Sequence, residues 1–457
     1  MIHLKKNSIL FLFILLFTVS KGFAQQNSGK AFSLEEAKKF AVQNNYNAQI
    51  AVKDYEISRQ QYKQYLSQGL PQINGSLGYN YNIEPIVSLL PGDFFGQPGT
   101  FQQVSFSPWY QVNGNITGSM VVLDGSYIMG VKAAKTYKEL SQNQRTKAEI
   151  DVKEETARNY YTVLLLSETI AIMDSIVTNL EKVYFETEQF RINGFREYID
   201  VEQIKLSVDQ TKNQVAKMRT QKELAERMLK LGMGYPTDQE IILTDKLLNF
   251  NPEKPADYIF NADLNSFKTE DHIESKILQK LYDVNKMNQN VEFSKAFPSL
   301  RTFFSWNYNG FSNDRSRPVL FSSGSQYFKG GTTWGFSLNV PIFSSLYRHS
   351  TWQKAKIQTE KVALQQKQAD EGLKMAFANA KANYVNTYKM LESERNNVEL
   401  ARKISTTNSI KFKEGLITSF EMTNSEYQYL NAVSSYVNTL YSLLNYKLDF
   451  DKLNNKL

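Results

Sequence analysis

Three histidines, no cysteine and scattered carboxylate pairs are all that this 457-residue chain offers for covalent or acid–base chemistry. His3 lies at the extreme N-terminus, and His272 and His349 stand alone in helical or helix-entry sequence. None of them has the spacing of a metal-ligand set. Without cysteine there is no thiol nucleophile, no zinc site of thiolate type, no disulfide and no lipidated N-terminal cysteine. No HExxH, phosphate-binding glycine loop, dinucleotide fingerprint or GxSxG elbow occurs. Glu35–Glu36 and Glu154–Glu155 fall on amphipathic helical patterns, where carboxylates face water, and Asp314, Arg315 and Arg317 sit in a polar loop. These residue types predict no enzyme, no cofactor and no resident metal.

Two other acids occur in a pattern. Asp200 and Glu421 each stand six residues after a glycine, in Gly194-Phe195-Arg196-Glu197-Tyr198-Ile199-Asp200-Val201 and Gly415-Leu416-Ile417-Thr418-Ser419-Phe420-Glu421-Met422. Each glycine interrupts a long helical pattern at a point where the chain must turn back. Two readings stand for Gly194, Phe195, Arg196, Gly415, Leu416 and Ile417: an exposed hairpin tip for docking, or an ordinary helix C-cap. Two also stand for the acids. In a ring of subunits they would form a cation-selective constriction, and in isolation they complement the first turn of the returning helix.

The elements around these tips are unusually long. No proline occurs from Ser126 to Asn193, and neither proline nor glycine from Glu197 to Leu231. At ~1.5 Å per residue the first run approaches ~100 Å. Ile204, Val208, Thr211, Val215 and Met218 step by four and three, as do Leu430, Val433, Val437, Leu440 and Leu444. Ser33-Leu34-Glu35-Glu36 predicts a capping box opening a first helix that runs to about Gln68, where Gly69 and Pro71 stop it. The segment from Gly232 to about Lys268 reads as a linker around the long helices, with a strand near Glu240–Leu243.

Before each long helix the period changes from helical to two. Ile73, Leu77, Tyr79 and Tyr81 alternate with Asn74, Ser76, Gly78 and Asn80, and the pattern resumes through Tyr110, Val112, Ile116 and Met120. The second half repeats it through Phe304, Trp306 and Tyr308, and again through Trp334, Phe336 and Leu338. Strands are expected over about 72–83, 109–123, 299–311 and 332–343, the length that a tilted transmembrane β-strand needs. Tyr79, Tyr81, Trp109, Tyr110, Trp306, Tyr308 and Trp334 suit an interfacial aromatic girdle. Four strands cannot close a barrel across a bilayer, so several chains would have to share one.

Lys5 and Lys6, the apolar run Ile9–Val19 and Gly22-Phe23-Ala24 read as a secretory signal over 1–24. Removing Lys5, Lys6 and Lys21 lowers the formal charge from +7 to about +4, with lysines and acids intermixed. Such a surface argues against nucleic acid as a partner. The best later apolar run, Val163–Val177, carries Glu168 and Asp174, so a membrane would be crossed as a barrel. The mature chain therefore reads as two repeats, 25–250 and 251–457, each with helix, strand pair and long helical hairpin.

With the paired tips, the opening Ser33-Leu34-Glu35-Glu36-Ala37, the strand end Val340-Pro341-Ile342-Phe343 and the signal, the chain resembles the TolC family of outer-membrane efflux proteins. The resemblance implies a mainly α fold with β: a long α-helical coiled-coil barrel joined to a transmembrane β-barrel, four strands per chain, completed by trimerisation. It implies a homotrimer in the outer membrane of a Gram-negative bacterium, in contact with outer-membrane lipid. The periplasmic tips would dock an adaptor (membrane fusion) protein tied to an inner-membrane transporter, as in tripartite efflux or type I secretion. Asp200 and Glu421 match the family's tip acids, whereas Asn424 stands at an inward position that is often acidic. Ser344-Ser345 departs from the Asp-Gly that Asp124-Gly125 keeps. The competing class, a periplasmic coiled-coil adaptor or scaffold, would need one helical hairpin and no repeated aromatic strand pair.

Overall fold

The structure is a computed structural model that describes residues 30–250, 256–316 and 327–457. The expected signal over 1–24 lies outside the described residues. In chain order the principal elements are β1 (Lys30–Phe32), α1 (Leu34–Asn44), α2 (Tyr46–Ser67), β2 (Gln72–Tyr81), β3 (Val87–Pro91), β4 (Phe101–Ser105), β5 (Tyr110–Leu123), α3 (Gly125–Ile192), α4 (Tyr198–Met233), β6 (Ile241–Leu243), α5 (Asp257–Phe260), α6 (Ile273–Ser294), β7 (Ser299–Ser312), β8 (Tyr327–Asn339), α7 (Tyr347–Lys413) and α8 (Ser419–Leu453). They form two compact units, and each unit draws on both sequence repeats.

One unit holds residues 50–147 and 268–374. Its centre is an antiparallel sheet in the order β2-β5-β7-β8. The same unit holds α2, α6 and the N-terminal parts of α3 and α7, tied side by side. The Tyr127 hydroxyl donates to the Leu66 carbonyl at 3.0 Å, Lys280 meets Glu139 at 2.8 Å, and Ser275 donates to Asp370 at 3.1 Å. Asp124 opens α3 by accepting from the amides of Ser126 and Tyr127, which satisfies donors that a helix start leaves bare. At the equivalent junction of the second repeat, Ser345 and Leu346 take positive φ values of 45° and 69°.

The other unit holds 30–49, 148–267 and 375–457 of the described chain. The remainders of α3 and α7 pack with α4 and α8 along seams of Ile204, Val208, Thr211 and Val215, and of Val433, Val437, Leu440 and Leu444, all buried. A largely polar tie joins α3 to α8: Arg158 donates to Glu154, Asn445 and Asp449, and Lys452 to Asp151 and Glu154. Around it wraps a small mixed layer in which β1 pairs in parallel with β6, and the Tyr160 hydroxyl lies 2.9 Å from Asp245 and 3.0 Å from the Phe32 carbonyl, with one proton to give between them.

Three expectations need correction. The first helix does not run unbroken to Gln68; it breaks at Asn45, whose backbone is extended. The Asn45 side chain caps α2 by accepting from Asn47 and Ala48, and its amide donates to the Gly232 carbonyl at 2.7 Å. Asparagine competes with helical hydrogen bonds in this way wherever its side chain reaches nearby backbone. The fourth strand begins at Tyr327, earlier than expected, because the glycines at 330 and 331 pair with Tyr308 and Asn307 and carry the ladder on. It stops at Asn339, two residues before Pro341, which has no donor to extend it. The stretch between the first two long strands, whose Pro85, Pro91, Gly92, Gly96, Pro98 and Gly99 argue for irregular chain, holds the β3–β4 hairpin.

Candidate functional site

The two tips share one backbone turn. Gly194 and Gly415 adopt φ of +80° and +77°, a region that costs side-chain-bearing residues energy and glycine nothing. In the first, Gly194 N–H donates to the Arg191 carbonyl and Phe195 N–H to that of Phe190; in the second, Gly415 donates to Phe412 and Leu416 to Lys411. This pair of bonds is the Schellman arrangement, which satisfies carbonyls left open at a helix end.

The segments that follow differ. Thr418 caps α8 with a full capping box: its hydroxyl accepts from the Glu421 amide at 3.2 Å, and the Glu421 carboxylate accepts from the Thr418 amide at 2.9 Å. Hydrogen bonds from the Thr418 backbone and side chain hold the Glu421 carboxyl below its ordinary pKa. At the first tip Glu197 occupies the cap position and its side chain makes no cap. That tip is held instead by contacts to the other repeat. The Arg196 guanidinium donates to the Phe412 carbonyl at the end of α7 and lies 4.3 Å from the centre of the Phe412 ring. Asp200 accepts from the buried Ser419 hydroxyl at 2.6 Å, with the Gln203 side chain 2.7 Å from the same oxygen. A hydroxyl has one proton to give, so with Asp200 as its acceptor the Gln203 amide takes the donor orientation. Tyr427 donates to Gln210 at 3.0 Å further along the same pair of helices.

These placements sort the expected tip residues. Phe195 and Leu416 project into solvent, whereas Arg196 and Ile417 turn inward, Ile417 against a cluster that includes Ile204, Phe412 and Met422. Asp200 and Glu421 line one cleft together with both glycines. Asn424 is exposed, three residues beyond Glu421, and is not part of that cleft. The structure adds Ile199 and Phe420, equivalent positions of the two repeats, both exposed beside Phe195 and Leu416. The inward Val201 and Met422 two residues on, buried at 3% and 0%, fix the helix phase that sends them out.

The sheet has two chemically distinct faces. One carries Ile73, Leu77, Tyr79 and Tyr81 on β2, then Tyr110, Ile116, Trp306, Tyr308, Trp334 and Phe336 in register across β5, β7 and β8. Ile73, Leu77 and Trp334 on it are each at least 66% exposed. The opposite face carries Asn74, Asn80, Asn113, Thr117, Ser305 and Asn307. The seven expected girdle aromatics do not lie at one level. Tyr79, Tyr81 and Tyr110 cluster at the loop end, with Tyr81 and Tyr110 stacked at 4.8 Å, and Trp109 lies just outside β5 beneath Arg315. Tyr308 lies nearer the middle, stacked on Trp306 at 5.9 Å. Trp306 and Trp334 sit mid-strand, opposite Thr332 and Phe304. Alternation specifies the face of a residue and says nothing of its depth.

The sequence pattern of the outer membrane efflux protein family matches residues 40–234. No curated protein matches the chain. Among solved structures it is similar to CusC, a protein described in terms of transmembrane channel formation, at 14% identity over 96% of this chain and 95% of that one, with a TM-score of 0.72. It is similar to the CmeC outer membrane channel of Campylobacter jejuni (15% identity, 92% and 85% of the two chains, TM-score 0.71). The open state of the MtrE outer membrane channel of Neisseria gonorrhoeae is likewise similar (17% identity, 92% and 88%, TM-score 0.70). The fold, with its helical and β components, is thus shared with solved outer-membrane channels. The match to the outer membrane efflux protein family covers the first of the two helical hairpins and the strands before it, and the fold over nearly the whole chain is the one these channel structures share.

Proposed function

We propose that this chain is an outer-membrane efflux protein of the TolC family that works as a homotrimeric, passive export duct of a tripartite efflux or type I secretion system. The observation that carries the reading is the sheet: four strands with one continuous, exposed apolar face, and with β2 and β8 lacking a further neighbour among the described residues. Open edges leave backbone donors and acceptors unpaired, which a bilayer does not tolerate, so each β8 must meet the β2 of another copy. Three copies give twelve strands, an even number within the range of membrane barrels. The apolar face then meets lipid, with its tyrosines near one interface, and the Asn/Ser/Thr face meets the pore.

The tips supply the second half of the reading. Phe195, Ile199, Leu416 and Phe420 offer an apolar rim suited to an adaptor protein that links the duct to an inner-membrane transporter. The Arg196–Phe412 and Asp200–Ser419 bonds hold the hairpins of the two repeats together. Asp200, Glu421 and Asn424 then face the constriction that these hairpins form. Transport draws its energy from the partner. Membrane fractionation followed by mass measurement in detergent tests this, with an outer-membrane species of three chains expected. A soluble periplasmic monomer would sink it.

A further inference from the structure

Among the described residues, β2, β5, β7 and β8 contain no Asp or Glu and two cations, Arg301 and Lys329. Both stand on the polar face. Arg301 is in register with Ser337 and Val121, and Lys329 with Asn309. Arg301 and Asn309 are eight residues apart on β7, so the two cations are separated by roughly 26 Å along the strands, one toward each end of the sheet. The surface between them is uncharged: amide, hydroxyl and glycine, including Asn113, Asn115 and Thr117, with the Phe303 ring lying over Gly335 near the Arg301 end.

Neither cation is enclosed. Lys329 is exposed, and the Arg301 side chain is 60% exposed, with its guanidinium 3.8 Å from Asp124. The other Asp124 oxygen is occupied by the amides and hydroxyl that open α3. Asp124 therefore orients Arg301 from one side and leaves its remaining donors facing a recess of about 800 Å³. Gln61, Gln64, Gln68 and Gln72 line that recess with further amide groups.

We propose that the polar wall of the barrel is a selectivity segment for anionic solutes, set by a basic ring of Arg301 near the helices and a basic ring of Lys329 near the outer loops. This rests on the reading of the sheet as one third of a closed trimeric barrel. Within such a wall the low dielectric of protein and lipid focuses the field of each ring, and rings of Arg or Lys are a known means of favouring anions in pores. The neutral amides between the rings replace water around a solute without adding an opposing charge. The favoured cargo class is small organic molecules bearing carboxylate, sulfonate or phosphate groups.

The test is the chloride-to-potassium permeability ratio of the full-length protein in planar bilayers at low salt. It is measured with the native tip and in an Arg196→Ala background that loosens the tip. In Arg301→Gln with Lys329→Gln the ratio is expected to fall by about two-fold or more, and in Arg301→Lys with Lys329→Arg to stay at the starting value. Near 1 M salt, where the screening length shrinks to ~3 Å, the difference should vanish. A ratio unmoved by the glutamine pair in a conducting channel overturns the inference and leaves the duct intact. Absence of any conductance in both backgrounds overturns the duct itself, and the inference with it.

Discussion

The two tips begin with the same turn and are then secured by different means. After Gly415 the chain stabilises itself, because Thr418 and Glu421 exchange hydrogen bonds within four residues. After Gly194 it has no side-chain cap and depends on groups from the other repeat, Phe412 and Ser419. A local cap persists while the hairpins move apart, whereas a tertiary one is lost with the contact that makes it. The first tip is therefore expected to open more readily than the second when these contacts are lost.

The largest effect should come from Arg196→Ala. A hydrogen bond to a charged donor contributes about 1.5–3 kcal/mol, so local opening at the first tip should rise by roughly ten-fold or more. Amide hydrogen exchange along 190–200 reads this, and 411–421 should change little. Equal acceleration of both tips would erase the asymmetry. Smaller and symmetric effects are expected of Gly194→Ala and Gly415→Ala. Nothing lies within 4 Å of the Cβ that either would add, so each pays only the left-handed backbone, about 1 kcal/mol. Clearly unequal losses in thermal stability would mean that the turns are not the same device.

The smallest effect is a pH dependence. Because folding lowers the Glu421 pKa, the stabilisation from its cap is fully present above the ordinary carboxyl pKa. It is lost as the pH falls through the lower folded value. Exchange protection at the start of α8 should accordingly weaken on acidification, and Glu421→Gln should flatten that response. A variant that keeps the full pH response would assign it to another group.

Much of this was legible in the sequence, for reasons that are local. Period-two alternation identified four strands and their apolar face, and the frame shared by Gly194 and Gly415 located both turns. Thr418-Ser419-Phe420-Glu421 also carries the capping-box spelling, a signal that marks Glu421 as a helix-start residue. The adjacent Asn44 and Asn45 likewise signal the break between α1 and α2. Other features had no such signal. β1 and β6 are three-residue strands 211 residues apart at their paired positions, too short for their alternation to register. The depth of Trp306 and Trp334 follows from pairing register, which neighbouring residues along one strand do not encode.

By itself, the sequence determined the elements, their faces and the turns, because periodicity, glycine conformation and capping act over a few residues. Tertiary structure alone decided which hairpin leans on the other. Arg196 and Phe412 are 216 residues apart, as Asp200 and Ser419 are 219 apart, and such partners meet only once the long helices have packed. It likewise placed Arg301 and Lys329 on one polar wall. Which face of the sheet two charges on different strands share is set by the pairing register.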